Sequence, residues 1–148
     1  MKKIQVLICA IGLLFAIQSA AFAQSTDLSE TFKKHFNETV KEVQDTENVT
    51  DKRAILNESL SLMIDAIVYV ETRVHLSNEE MIQLGLFKND IVEKRNELNG
   101  LDGFDEIQDQ DLDEFSEYVQ QAFELANRTV TISVGTAVVI LLILLLLL

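Results

Sequence analysis

The chain has no proline and no tryptophan, and its one cysteine, Cys9, lies in an apolar N-terminal run. A mature chain cut after that run has no cysteine. Disulfides, thiolate nucleophiles and cysteine metal ligands are thereby excluded. Of five glycines, only Gly85, Gly100 and Gly103 fall between residues 24 and 128. So few turn formers argue against many short strands and for a few long helices. Basic residues are also scarce: no Lys or Arg occurs between Arg95 and Arg128. The motifs of common enzymes are missing as well. There is no G-x-S-x-G, P-loop, G-x-G-x-x-G, H-E-x-x-H or haem-attachment cysteine pair, and the chain reads as non-enzymatic.

Acid dominates what is present. The formal net charge is −12, from 12 basic and 24 acidic residues. Loss of Lys2 and Lys3 with a leader takes it to −14. Such a surface repels nucleic acid and anionic lipid.

Two apolar runs bracket the chain. Lys2 and Lys3 precede Ile4–Ile17, and Ala21-Phe22-Ala23 offers small residues where a signal peptidase reads. Residues 1–23 are expected to be a signal peptide, with Gln24 as the first mature residue; the alternative is an uncleaved signal anchor. Val130–Leu148 carries no charge. As a helix it would span about 29 Å, close to the ~30 Å of a bilayer core. Residues 129–148 are therefore expected to form a C-terminal transmembrane anchor. The acid-rich flank before it fits the non-cytoplasmic side, so residues 24–128 are expected in the periplasm or outside the cell. Thr129, Ser133 and Ala137 lie four apart and give the anchor a face of small residues suited to helix–helix contact.

The region between reads as one all-α domain, a small up-down bundle of about four helices. Leu28, Phe32, Phe36, Val40 and Val43 form one face of a helix from 28 to 45, with Asp27 and Glu30 as its capping pair. Leu56, Leu60, Met63, Ile67, Val70 and Val74 give a heptad, coiled-coil-like seam over a helix from 51 to 75, with Thr50 as cap. Ile55, Leu62, Ala66 and Tyr69 widen that stripe. Ser77 and Glu80 form a capping box, with Leu76 and Met81 placed for a hydrophobic staple. The third helix then runs to Leu98 on the face of Leu84, Phe87 and Ile91, and Asn99-Gly100 stops it. The short link at 76–77 predicts an antiparallel hairpin of helices two and three. The fourth helix begins near Asp109 or Asp111 and carries Leu112, Phe115, Val119, Ala122 and Ala126 inward. Packing the first helix, which is rich in lysine, near the acidic fourth offsets opposite charge.

Three features bear on function. Eight carboxylates fall between Asp102 and Glu117. Asp109, Asp111 and Asp113 match the first three ligand positions of an EF-hand loop. Glu114 then stands where its turn glycine belongs, and Gln120 where its bidentate glutamate belongs. They form a candidate site for Ca²⁺ or Mg²⁺, set against a plain solvated acidic face. His35 and His75 lack the Glu-x-x-His spacing of a di-iron bundle. Four N-x-[ST] sequons start at Asn37, Asn48, Asn57 and Asn127. They matter in a eukaryotic secretory pathway, where Asn127 is also a candidate attachment point for a GPI anchor. The expected role is an anchored module acting on a protein partner or on a second copy of itself. The alternatives are a cation- or ligand-binding bundle using residues 102–117, or a GPI-anchored glycoprotein.

Overall fold

In the computed structural model, residues 28–126 and the single residue Ile140 are described. The leader at 1–23, the Asp27 cap, and Thr129, Ser133 and Ala137 lie outside these residues. Ile140 is helical and buried with the core cluster. Among the described residues there are four α-helices and no strand: α1 (Leu28–Asp45), α2 (Val49–Arg73), α3 (Asn78–Asn99) and α4 (Leu112–Ala126). A 3₁₀ turn, Asp109–Asp111, leads into α4. None of the described helices is long and apolar enough to cross a membrane.

Local chemistry sets the helix ends. Asn48 caps α2, its side chain accepting from the N–H groups of Thr50 and Asp51. The cap is thus two residues earlier than Thr50, because an asparagine Oδ1 satisfies two of the orphan donors at once. At the other end α2 stops at Arg73, short of His75. Val74 is extended there, its N–H still bonded to Val70 O. The Ser77–Glu80 capping box forms in both directions. The staple expected beside it is less evident: Leu76 packs on the core, while Met81 stays half exposed. Gly100 ends α3 in the left-handed region at φ 63°. A Cβ there would lie 2.9 Å from Glu106 Cβ and N, so the position requires glycine for space as well as for φ.

Side-chain partners give the topology. Asn57 meets Asn99 and Glu71 meets Lys88, so α2 and α3 run antiparallel, as the short link requires. Lys33 meets Glu124, Asn37 meets Gln120 and Gln44 meets Glu117, so α1 and α4 also run antiparallel. The three-residue link 46–48 reverses the chain between α1 and α2. The result is an up-down-up-down bundle in which α1 lies along α4 and α2 touches all the others. The expected pairing of the lysine-bearing first helix with the acidic fourth is realised.

The core is built from the anticipated faces. Phe32, Phe36, Val40 and Val43 of α1 are buried against Leu56, Leu60, Met63, Ala66, Ile67 and Val70 of α2. Leu84, Phe87, Ile91 and Leu98 of α3 and Leu112, Phe115 and Val119 of α4 complete it. Two assignments change. Tyr69 is half exposed and does not widen the α2 stripe; its ring lies beneath the Arg73 guanidinium at 5.6 Å. The last turns of α4 are anchored by Phe123, buried to 1% exposure, while Ala122 is only part-buried. Phe123 follows Val119 by four residues and extends the same stripe. Its ring meets Phe36 edge-on at 5.2 Å and 85°, and Phe87 at 5.8 Å. Phe32 joins Phe87 at 5.5 Å. Truncating a ring that contacts two helices leaves a cavity they cannot both close. Phe123→Ala is expected to cost about 3–5 kcal/mol, read as a lower midpoint in urea unfolding with an unchanged slope.

Candidate functional site

The acidic run is where chemistry was expected, and the structure pairs much of it internally. Arg53, in the second turn of α2, is the hub. Its Nη1 donates to Leu98 O at 2.6 Å, and its Nη2 donates to Ile107 O and to Asp109 Oδ1 at 2.9 Å. Glu106 lies 3.2 Å from Nη1. One guanidinium thus ties α2 to the end of α3, the 101–108 loop and the 3₁₀ turn. A planar fork with five donors does this; an ammonium cannot. Lys52 beside it donates to Asp113 Oδ2 at 2.6 Å.

The three carboxylates proposed for a cation are therefore not gathered on one point. Asp109 faces Arg53, Asp113 faces Lys52, and Asp111 is exposed on the 3₁₀ turn. Among the described residues no three of His, Cys, Asp or Glu stand close enough together to hold a metal ion. Elsewhere in the loop, Asp102 adopts φ 54°, which aspartate tolerates, and accepts from Asn96 Nδ2 at 2.6 Å. Arg53→Ala is expected to leave two carbonyls and two carboxylates without their donor. The cost is about 1–3 kcal/mol, with faster amide exchange in 101–111 than in α1.

Two polar clusters lie inside the helical region, and of their residues only His35 stands out in the sequence as a candidate. The first joins α1 to α2. Thr39 and Ser59, each 5% exposed, share a hydrogen bond of 2.8 Å between hydroxyls. Ser59 Oγ also stands 3.3 Å from His35 Nε2. A cleft of about 220 Å³, rimmed by Glu42, Ile55, Glu58 and Leu62, opens beside them. A serine beside a histidine resembles half of a hydrolytic device. However, these residues sit mid-helix, where backbone N–H groups are committed to carbonyls one turn back. No amide pair is offered there to a developing oxyanion. The signal was a polar residue on the apolar stripe of each helix: Thr39 three after Phe36, and Ser59 three after Leu56.

The second cluster centres on Lys94, which fills the empty slot between Ile91 and Leu98 on the inward face of α3. It is only 8% exposed. Its Nζ donates to Tyr118 Oη at 2.7 Å and to Glu97 at 2.9 Å, and lies 4.7 Å from the Tyr118 ring centre. Burial alone would lower its pKa, but the bonds to Tyr118 and Glu97 outweigh burial and the net shift is upward. Asp90 nearby is pushed up by burial and then by Glu93, with Lys94 opposing. Among the described residues every buried side-chain nitrogen and oxygen has a hydrogen-bond partner.

The sequons are also occupied by structure. Asn37 accepts from Gln120, Asn48 caps α2 and Asn57 accepts from Asn99. Asn127 lies outside the described residues. No family model, no curated protein and no solved structure matches the chain.

The His35 pKa is lowered from its ordinary 6.5, chiefly by burial, with Glu38 opposing. The unfolded chain therefore takes up a proton before the folded one does. This contribution leaves stability untouched above pH 6.5 and subtracts from it as pH falls below. Thermal midpoints are expected to drop more steeply below pH 6.5 for the native chain than for His35→Gln, with the two curves parallel above it.

Proposed function

We propose that the chain is a non-enzymatic module of the membrane, with residues 1–23 as a cleaved signal peptide, 24–128 as an exported acidic bundle and 129–148 as a transmembrane anchor. The bundle faces the periplasm or the cell exterior. It acts by contact with a protein partner or with a second copy, and neither a cofactor nor nucleic acid enters its work. The observation that carries this reading is the uncharged run Val130–Leu148 directly after α4. At about 29 Å as a helix, it matches one crossing of the ~30 Å apolar layer.

The interior of the bundle supports the second half of the reading. Lys94, Ser59, Thr39, Arg53 and Lys52 hold helices together and are thereby engaged. Inner polar groups that are satisfied by one another support a reading in which the bundle meets other molecules through its surface. Within the anchor, Thr129, Ser133 and Ala137 form the face on which a second helix would pack.

The test is extraction of expressed chain from membranes. The full chain is expected to stay in the membrane pellet through alkaline carbonate, with its N-terminus at Gln24. A chain stopped after Arg128 is expected in the soluble fraction. Release of the full chain by carbonate would sink the anchor.

A further inference from the structure

The bundle is polarised along its axis, and topology is the reason. In an up-down-up-down arrangement the start of α1, the end of α2, the start of α3 and the end of α4 share one end. The Lys33–Glu124 ion pair, 3.0 Å, joins two of them. Both apolar runs of the chain are attached at that end. Charge divides unevenly between the ends. The half made of residues 28–36, 62–88 and 119–126 has six acidic and four basic residues. The half made of 37–61 and 89–118 has seventeen acidic and five basic ones.

Apolar exposure follows the same axis. Ile82, Leu86 and Leu125 are the most exposed large hydrophobic residues described, at 65%, 61% and 72%. Ile82 and Leu86 stand four apart on one flank of α3. The Phe87–Phe123 ring contact places the last turn of α4, which carries Leu125, at the same end of the bundle as the first half of α3. Met81, half exposed, lies next to Ile82 on α3. At the far end Leu101 and Phe104 are exposed too, but Asp102, Asp105 and Glu106 surround them in sequence.

From this placement we infer that the chain-exit end of the bundle rests on the bilayer surface through Ile82, Leu86 and Leu125. The inference builds on the proposal that residues 129–148 are an anchor. Given that anchor, reach decides the occupant. Leu125 precedes Val130 by five residues, and five residues extend at most about 18 Å whatever their conformation. The patch therefore cannot leave the neighbourhood of the lipid headgroups. Apolar side chains held there enter the headgroup–acyl boundary, which takes up side chains to a depth of about 5–10 Å. The near balance of charge in this half removes the repulsion that would hold the other half away from anionic lipid. The acidic loop with its Arg53 hub then points away from the membrane.

The test places single nitroxide labels on the full chain in a Cys9→Ala background. The positions are Ile82→Cys, Leu86→Cys, Phe104→Cys and Leu144→Cys. The protein is reconstituted in vesicles of phosphatidylcholine and phosphatidylglycerol in equal parts. Labels at 82 and 86 are expected to lose broadening by a soluble nickel chelate and to gain it from oxygen. The label at 104 is expected to behave in the opposite way, and the label at 144 to be the deepest. Nickel access at 82 and 86 equal to that at 104, with 144 in lipid, overturns the surface contact and leaves the anchor standing. A water-exposed label at 144 overturns both. Spin–spin broadening between copies at 86, with no oxygen access, means that a second copy covers the patch and overturns the lipid contact.

Discussion

Four phenylalanine rings hold the arrangement on which everything else depends. Phe36 and Phe32 of α1, Phe87 of α3 and Phe123 of α4 form a continuous chain of ring contacts of 5.2–5.8 Å. Each large apolar side chain contributes about 1.5–3 kcal/mol on burial, and ring pairs add geometric preference to that. Area alone would let helices slide past one another by a turn. Rings that must meet edge-on or tilted penalise such a slide, so the quartet fixes the register of three helices. With register fixed, the polar ties fall into place: Lys33 on Glu124, Asn37 on Gln120 and Lys94 on Tyr118.

The polar ties are individually weak where they are exposed. Their importance lies in what they exclude. A buried lysine without partners is costly; Glu97 comes from the same helix, so the packing Lys94 favours is the one that brings Tyr118 of α4 to it. The Thr39–Ser59 bond does the same for α1 against α2. Arg53 performs this task for the acidic loop, which has few apolar anchors of its own. Ile107 packs against the core, and its carbonyl is bound by the same guanidinium. The acidity that marks this chain is therefore partly an internal counterweight to Lys52 and Arg53. The rest is concentrated at one end of the bundle.

Helix positions were legible because they depend on local rules. The span of α1 and the capping box of α3 follow from periodicity and from side-chain reach of three residues. The Asn48 cap was also local, but Asn48 and Thr50 both qualify as caps, and only the built turn chooses between them. Phe123 is a different case. Its position continues the step of four from Val119, yet the small residues Ala122 and Ala126 fit the heptad equally well. The larger ring takes the core because the space between Phe36 and Phe87 needs its volume.

The sequence by itself determined the all-α class, the number of helices, most of their ends and the hairpin of α2 with α3, since each rests on interactions within a few residues. It also set the net acidity and the two apolar runs, which are properties of composition. Tertiary structure alone decided which carboxylates are engaged and which face water. Asp109 and Asp113 look like members of one ion-binding series along the chain, but packing turns each toward a different cation on α2. It likewise decided that Lys94 and Ser59 lie inside, and that Ile82, Leu86 and Leu125 are left exposed. Such facts depend on how four cylinders are rotated and staggered against each other. That rotation and stagger is a compromise among all their faces at once, and no single segment encodes it.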